Sequence, residues 1–229
     1  KGEFISVAAH QMRTPLSALR WALENMPKND LVEKASATTL RMINLVNNLL
    51  DISKIEEGKF GYSFVSKDLG ALLAEMGKEY ETVAAEHGTH FSYSPPTSQI
   101  PPFQFDPEKF SFALHALLDN AFHYTPKGGK VTLSATELPE EKVAEISVQD
   151  TGIGIPKELR SNLFTKFFRA PEAVKMWTEG SGLGLFLVQN VVTRHGGTIT
   201  VESLEGHGTT ISVRLPTDPA AIPPEEEIA

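Results

Sequence analysis

His10 stands inside a run that otherwise reads as an amphipathic helix, and it stands on the wrong side of it. The apolar residues Ile5, Met12, Leu16, Leu19, Leu23 and Met26 lie roughly 160° to 240° around such a helix from His10, at about 100° per residue. An imidazole turned to water is a nucleophile and a proton carrier. Gln11 follows it, and Thr14 lies one turn on, on the same face. Pro15, inside the helix, removes an amide donor and frees the Gln11 carbonyl, a fault of about 3 kcal/mol against Ala. Such faults are tolerated where function asks for them. A second group lies more than a hundred residues on. Asn120 offers an amide oxygen, a hard ligand of the kind Mg²⁺ takes, with His123 and Tyr124 at the end of the same helical run. Asp150 follows a strand-like run and opens Asp150-Thr-Gly152-Ile-Gly154. Gly180-Ser181-Gly182-Leu183-Gly184 precedes another helix, whose first amides can hold phosphate. Each motif alone is weak; their order along one chain is the signal.

Composition narrows what these residues serve. The 229 residues are 41% hydrophobic, too apolar for a disordered chain. With no cysteine there is no disulfide frame, thiolate metal site or cysteine nucleophile. A net charge of −8 without a Lys/Arg run argues against a nucleic-acid partner held by charge. No apolar run approaches the roughly 20 residues of a membrane span. Lys1 in place of a starting Met suggests a stretch of a longer protein.

The elements that must position these groups fall into two halves. Residues 1–58 read as two helices joined by a turn at Met26–Asp30, with Asp30 as N-cap. The second helix carries Leu31, Ala35, Thr38, Met42, Leu45, Leu49 and Ile52 on 3- and 4-residue steps. One such hairpin buries little, so two should pair as a homodimeric four-helix bundle. Residues 59–216 read as an α+β domain, several helices over one largely antiparallel sheet. Helices are expected from Asp68 to His87, from Pro107 to His123, after Pro156 and from Leu183 to His195. Strands are expected at 131–136, 143–148, 198–203 and 209–215, with Pro-rich connections from His87 to Pro102. Residues 217–229, with Glu225–Glu227, read as a loose acidic tail.

Phe4-Ile-Ser-Val-Ala-Ala-His10-Gln-Met-Arg-Thr14-Pro15-Leu resembles the H-box of the sensor histidine kinases of two-component systems. Leu117–Pro126 is similar to their N-box, Asp150–Pro156 to the G1 box, Leu163–Arg169 to the F-box and Gly180–Leu185 to the G2 box. The resemblance covers about residues 1–216. It implies a dimeric helical hairpin followed by a GHKL (Bergerat) ATPase-like α/β sandwich. It implies ATP and Mg²⁺ as cofactors, with Asn120 on the metal. Asp150 would accept the adenine amino hydrogen, Tyr124 would pack on the base, and Ala170–Glu179 would be a mobile lid. His123, Gly152, Gly154, Gly180, Ser181, Gly182, Leu183 and Gly184 would complete the ATP site. His10 would take the γ-phosphoryl group, with Gln11 as its neighbouring acceptor. A response-regulator aspartate would receive the group next. Thr14 would orient water for the reverse, phosphatase reaction. Gly58–Gly61 would be the hinge. A cytoplasmic placement, an upstream sensor segment and a parent anchored in the bacterial inner membrane are part of the same expectation.

Three departures matter. Gln11 stands where relatives often have Glu or Asp, so the acceptor loses its charge and phosphorylation should slow about tenfold. Ala116 stands where the N-box often has a first Asn. His123 stands where it often has Lys or Arg, which predicts modest ATP affinity rising toward pH 6. They leave open a second reading, a nucleotide-binding dimeric scaffold without transfer. The interval from His10 to Asp51 is short for the family, which implies a truncated bundle.

Overall fold

The computed structural model describes residues 2–96 and 100–223; the side chains of residues 2–8 and of His10 lie outside the described part. The chain divides into two compact units, the first ending at Gly61 and the second starting at Tyr62.

The first unit is a helical hairpin of α1 (Gly2–Glu24) and α2 (Asp30–Glu56). Helix α1 runs through Pro15 without a break. Asn29, not Asp30, caps α2: its backbone is extended and its Oδ1 accepts the amides of Leu31 and Val32, each at 3.0 Å. Asp30 is the first helical residue, where its charge favours the positive end of the helix. The apolar stripe of α1 divides lengthwise. Ala9 and Leu16 are buried with Val46 and Leu50, and Ile43 and Leu49 pack against them. Met12, Leu19 and Met26 remain about half exposed, at 51%, 47% and 50%. In α2 the inward set is Val32, Thr39, Val46, Leu50, Ile52 and Ser53. Leu31, Met42 and Leu45 are exposed. The inward line is thus one residue on from the expected one over most of α2, a turn of about 100°. A heptad stripe has two flanks, and its period does not say which flank meets the sister helix.

The second unit is an α/β sandwich. Its main sheet has β2 (His90–Ser94), β4 (Lys130–Leu138), β5 (Val143–Asp150), β7 (Gly208–Pro216) and β6 (Thr198–Leu204), side by side in that order. All pairs are antiparallel except β2 with β4. Strands β1 (Val65–Lys67) and β3 (Phe103–Phe105) form a separate two-stranded sheet. Alternation along the strands buries Val131, Leu133, Ala144, Ile146, Val148, Val213 and Leu215. Over this face lie α3 (Leu69–His87), α4 (Pro107–Tyr124) and α6 (Gly184–Arg194), with Leu73, Tyr80, Phe110, Leu114, Leu118, Leu187 and Val191 buried. The other face is hydroxyl-rich; Ser147 and Ser212, paired across β5 and β7, have oxygens 2.8 Å apart.

Asp106 caps α4 by accepting the Lys109 amide at 3.0 Å, and Pro107 takes the first turn. This is the start the sequence predicts. Other elements differ. The stretch expected as Pro-rich connection contains β2, an edge strand of five residues whose partner β4 lies far along the chain. The helix expected after Pro156 is a single 3₁₀ segment, Lys157–Asn162.

The loose tail expected from Thr217 is held as far as Pro223. Residues Pro219–Ala221 form a 3₁₀ turn capped by Asp218, and the Arg194 guanidinium donates to the Pro223 carbonyl. The same guanidinium lies over the rings of Tyr62 and Phe64, 5.6 and 5.3 Å from their centroids. Residues 224–229, including Glu225–Glu227, lie outside the described residues.

Candidate nucleotide and phospho-acceptor sites

In the hairpin, His10 falls on α1 directly after buried Ala9; its side chain is outside the description. Gln11, Arg13, Thr14 and Pro15 are exposed. Arg13 reaches across to α2, its Nη2 and Nε donating to Asn47 Oδ1 at 2.7 and 3.2 Å. This cross-link sits less than one turn from His10 and fixes α2 against that part of α1.

In the second unit, α4 carries Asn120, His123 and Tyr124 on its last turn and a half. Asn120 is half-buried. Its neighbour Asp119 accepts from the buried Tyr80 hydroxyl at 2.7 Å, which anchors this part of α4 to α3. The Tyr124 carbonyl accepts the Ile153 amide at 3.1 Å, so the end of α4 and the loop after β5 are stitched together.

Asp150 ends β5. Its Oδ1 accepts the amides of Gly152 at 2.7 Å and Thr209 at 3.3 Å, and Oδ2 is the oxygen left for a ligand. Burial raises its pKa to about 6, against the two amides that favour the charge. The glycines beside it serve the packing of the protein on itself. A Cβ on Gly152 would stand 2.1 Å from the Tyr124 carbonyl oxygen. Gly154 has φ +64°, and a Cβ there would stand 2.0 Å from the Leu204 carbonyl oxygen. Within the protein, these two glycines of the expected ATP site admit the close approach of α4 and of the β6–β7 hairpin.

The Gly180–Gly184 loop leads into α6. The Leu183 amide donates to Ser181 Oγ at 3.3 Å, and no side chain caps the first amides of α6. The Leu183 side chain is fully buried, so this residue offers a ligand only its main chain. The nearest atom to a Cβ on Gly184 is the Ala116 methyl at 3.9 Å, which places the departed N-box position against the start of α6.

His123 donates from Nδ1 to the Asp119 carbonyl at 2.6 Å, and burial lowers its pKa. Its ring is stacked by Trp177, centroids 3.8 Å apart and planes 21° from parallel. Trp177 also meets Tyr124 edge-on, at 6.2 Å. It follows α5 (Pro171–Met176), a short helix inside the expected lid. Trp177 carried no motif, and only its place between Arg169 and Gly180 could have marked it. Among the described residues no group of three or more His, Cys, Asp or Glu is placed to hold a metal ion.

Residues 105–219 match the histidine kinase-, DNA gyrase B- and HSP90-like ATPase family, and residues 1–58 match the His Kinase A (phospho-acceptor) domain. Sensor histidine kinase WalK of Bacillus subtilis is 33% identical over 223 residues, which cover 93% of this chain and 36% of that protein. Sensor protein SrrB of Staphylococcus aureus strain N315 is 28% identical over 225 residues, covering 94% of this chain and 38% of that one. The structure of full-length ShkA in complex with AMPPNP superposes with a TM-score of 0.79 at 25% identity, over 96% of this chain and 47% of that one. The chain thus spans about a third of the length of the first two relatives and about half of the third. It belongs to the histidine kinase-, DNA gyrase B- and HSP90-like ATPase family. With the phospho-acceptor hairpin ahead of that domain, the chain has the two-domain order of a histidine kinase catalytic core.

Proposed function

We propose that this chain transfers the γ-phosphoryl group of Mg·ATP to His10 and then to an aspartate of a response-regulator receiver domain. The observation that carries the nucleotide half is Asp150. A half-buried carboxylate, ionised at neutral pH and held through Oδ1, presents Oδ2 as an acceptor for an exocyclic amino group. Asn120 is the one protein ligand we assign to Mg²⁺, which neutralises phosphate charge. The uncapped amides at the start of α6 would hold the phosphate chain. Tyr124, Gly180, Ser181 and Gly182 line the proposed site, with Leu183 and Gly184 contributing main chain.

In the transfer, a nitrogen of the His10 imidazole forms a bond to the γ-phosphorus as the bridging P–O bond breaks and ADP leaves. The imidazole N–H polarises toward the Gln11 side-chain oxygen. Catalysis in such a site is positioning and charge neutralisation. Arg13 and Asn47 keep α1 and α2 in register beside the acceptor. Thr14, exposed one turn on, is assigned the orienting of water in the reverse reaction.

We also assign the exposed line of Met12, Leu19, Met26, Leu31, Met42 and Leu45 to a second copy of the hairpin, which would complete a four-helix bundle. No helix among the described residues is long and apolar enough to cross a membrane.

Incubation with γ-labelled Mg·ATP tests the transfer. Acid-labile, base-stable label that disappears in His10→Ala is the expected result. Nucleotide binding without label would support a scaffold in its place.

A further inference from the structure

Trp177 is held in place from both sides. Arg169 donates from Nη1 to the Thr178 carbonyl at 3.0 Å, and from Nη2 to the carbonyls of Trp177 and Ala173. Its guanidinium lies 5.9 Å from the indole centroid. A Cβ on Gly180 would come within 3.0 Å of the indole and 3.1 Å of the Arg169 guanidinium, so the phosphate loop closes on the same pair. The indole, pinned through its main chain, covers the flat face of His123 and touches the edge of Tyr124. One lid residue therefore contacts three of the groups assigned to the nucleotide. A planar indole between imidazole and phenol also uses the stacking chemistry that a purine would use there.

We propose that Trp177 is a latch over the nucleotide site, and that nucleotide binding lifts its indole off His123. The inference rests on the nucleotide reading above. It assigns to Trp177 the role of positioning residue for the lid and of internal competitor for the site. Releasing the latch consumes part of the binding free energy, so the indole weakens nucleotide affinity. An aromatic pair of this kind sets the expected effect at about two- to tenfold.

The full chain has two tryptophans, Trp21 and Trp177. Trp21 lies exposed on α1, so Trp21→Phe leaves Trp177 as the sole indole reporter. In that variant, Mg·ADP should shift the emission maximum to longer wavelength and raise the quenching by acrylamide. His123→Ala should produce the same shift without nucleotide. In calorimetry, Trp177→Ala should bind Mg·ADP about two- to tenfold more tightly than the parent, with faster association. Binding without any change in emission would overturn the latch and leave the nucleotide reading standing. So would weaker binding by Trp177→Ala, which would make the indole a contact to the nucleotide. Binding by Trp177→Ala alone would support the latch, while binding by neither protein would overturn both readings.

Discussion

The Nε2 of His195 accepts the main-chain amide of Asp106 at 2.9 Å, which joins the end of α6 to the start of α4. Nδ1 donates to the Val191 carbonyl at 2.7 Å, so the ring is the neutral Nδ1–H tautomer, and it is buried beside Phe110, Phe64 and Tyr62. Burial lowers its pKa, helped by the Arg194 charge. A histidine whose folded pKa is lowered gives stability that is present above about pH 6.5 and is lost as pH falls. Protonation would set an N–H against the Asp106 amide. His195→Ala leaves that amide unpaired and should cost about 1–3 kcal/mol at pH 7.5. Urea midpoints at pH 7.5 and 5.5 check both points: the wild type should lose more stability on acidification than the variant does.

Asp150 sets the pH dependence of nucleotide binding. With Oδ1 accepting two amides, a proton goes to Oδ2, where it opposes the amino group of adenine. The raised pKa of about 6 means that the ionised acceptor is lost as pH falls through 6. Burial meanwhile delays the charging of His123 to lower pH. Mg·ADP affinity should therefore be level above about pH 7 and should fall by up to about tenfold per unit below 6. This reverses the rise toward pH 6 that the sequence alone suggests for His123. Calorimetric titration from pH 5 to 8, with His123→Lys as control, measures it.

Gln11 is exposed on α1, beside the acceptor. A charged acceptor in its place makes a hydrogen bond stronger by about 1 kcal/mol or more. Gln11→Glu should raise the initial rate of His10 phosphorylation about tenfold. An unchanged rate in a labelled-ATP time course would sink this.

The exposed flank of the hairpin gives a test of assembly. Leu45→Lys places a charge in an apolar line without touching the pair Leu16–Val46 inside the hairpin. Sedimentation equilibrium at micromolar concentration should show a dimer for the wild type and a monomer for the variant, with unaltered helix content by circular dichroism.

Gly154→Ala meets two obstacles, a left-handed φ of +64° and the Leu204 carbonyl 2.0 Å from the new Cβ. The loop after β5 must leave the β6–β7 hairpin, at a cost of about 1–3 kcal/mol. Stability and Mg·ADP affinity should fall together, by urea titration and calorimetry on the same preparation.

Much of the fold and of the site is legible in the residues. Asp106-Pro107 marks the start of α4, and the alternation of Val131, Leu133 and Ala135 marks a strand with one buried face. The two-unit order follows from the change of period near Gly58. Other features depend on partners distant in sequence. His90–Ser94 is a strand because Lys130–Ser134 lies beside it, and its five residues carry no turn signal that would announce this. Which flank of the α1 stripe faces inward is decided by α2, not by the seven-residue period. The glycines of the Asp150 loop show that something approaches closely. Only the fold shows that Tyr124 and Leu204 are what approach. Trp177 was silent because an aromatic in a lid has no periodic neighbours to place it.

Arg194 couples the two ends of the ATP-binding unit. Its guanidinium touches Tyr62 and Phe64, where the chain comes in, and Pro223, where the described chain goes out. In mechanical terms the two ends of the unit share an anchor. A load applied after Pro223 is shared between Arg194, which bears on Tyr62 and Phe64, and the main chain back to β7, where the Thr217 amide donates to the Lys142 carbonyl at 2.8 Å. Part of the tension from a bound protein or a fused label at that end would therefore reach Tyr62 and Phe64, so the Arg194 contact is a natural place to attach a force probe.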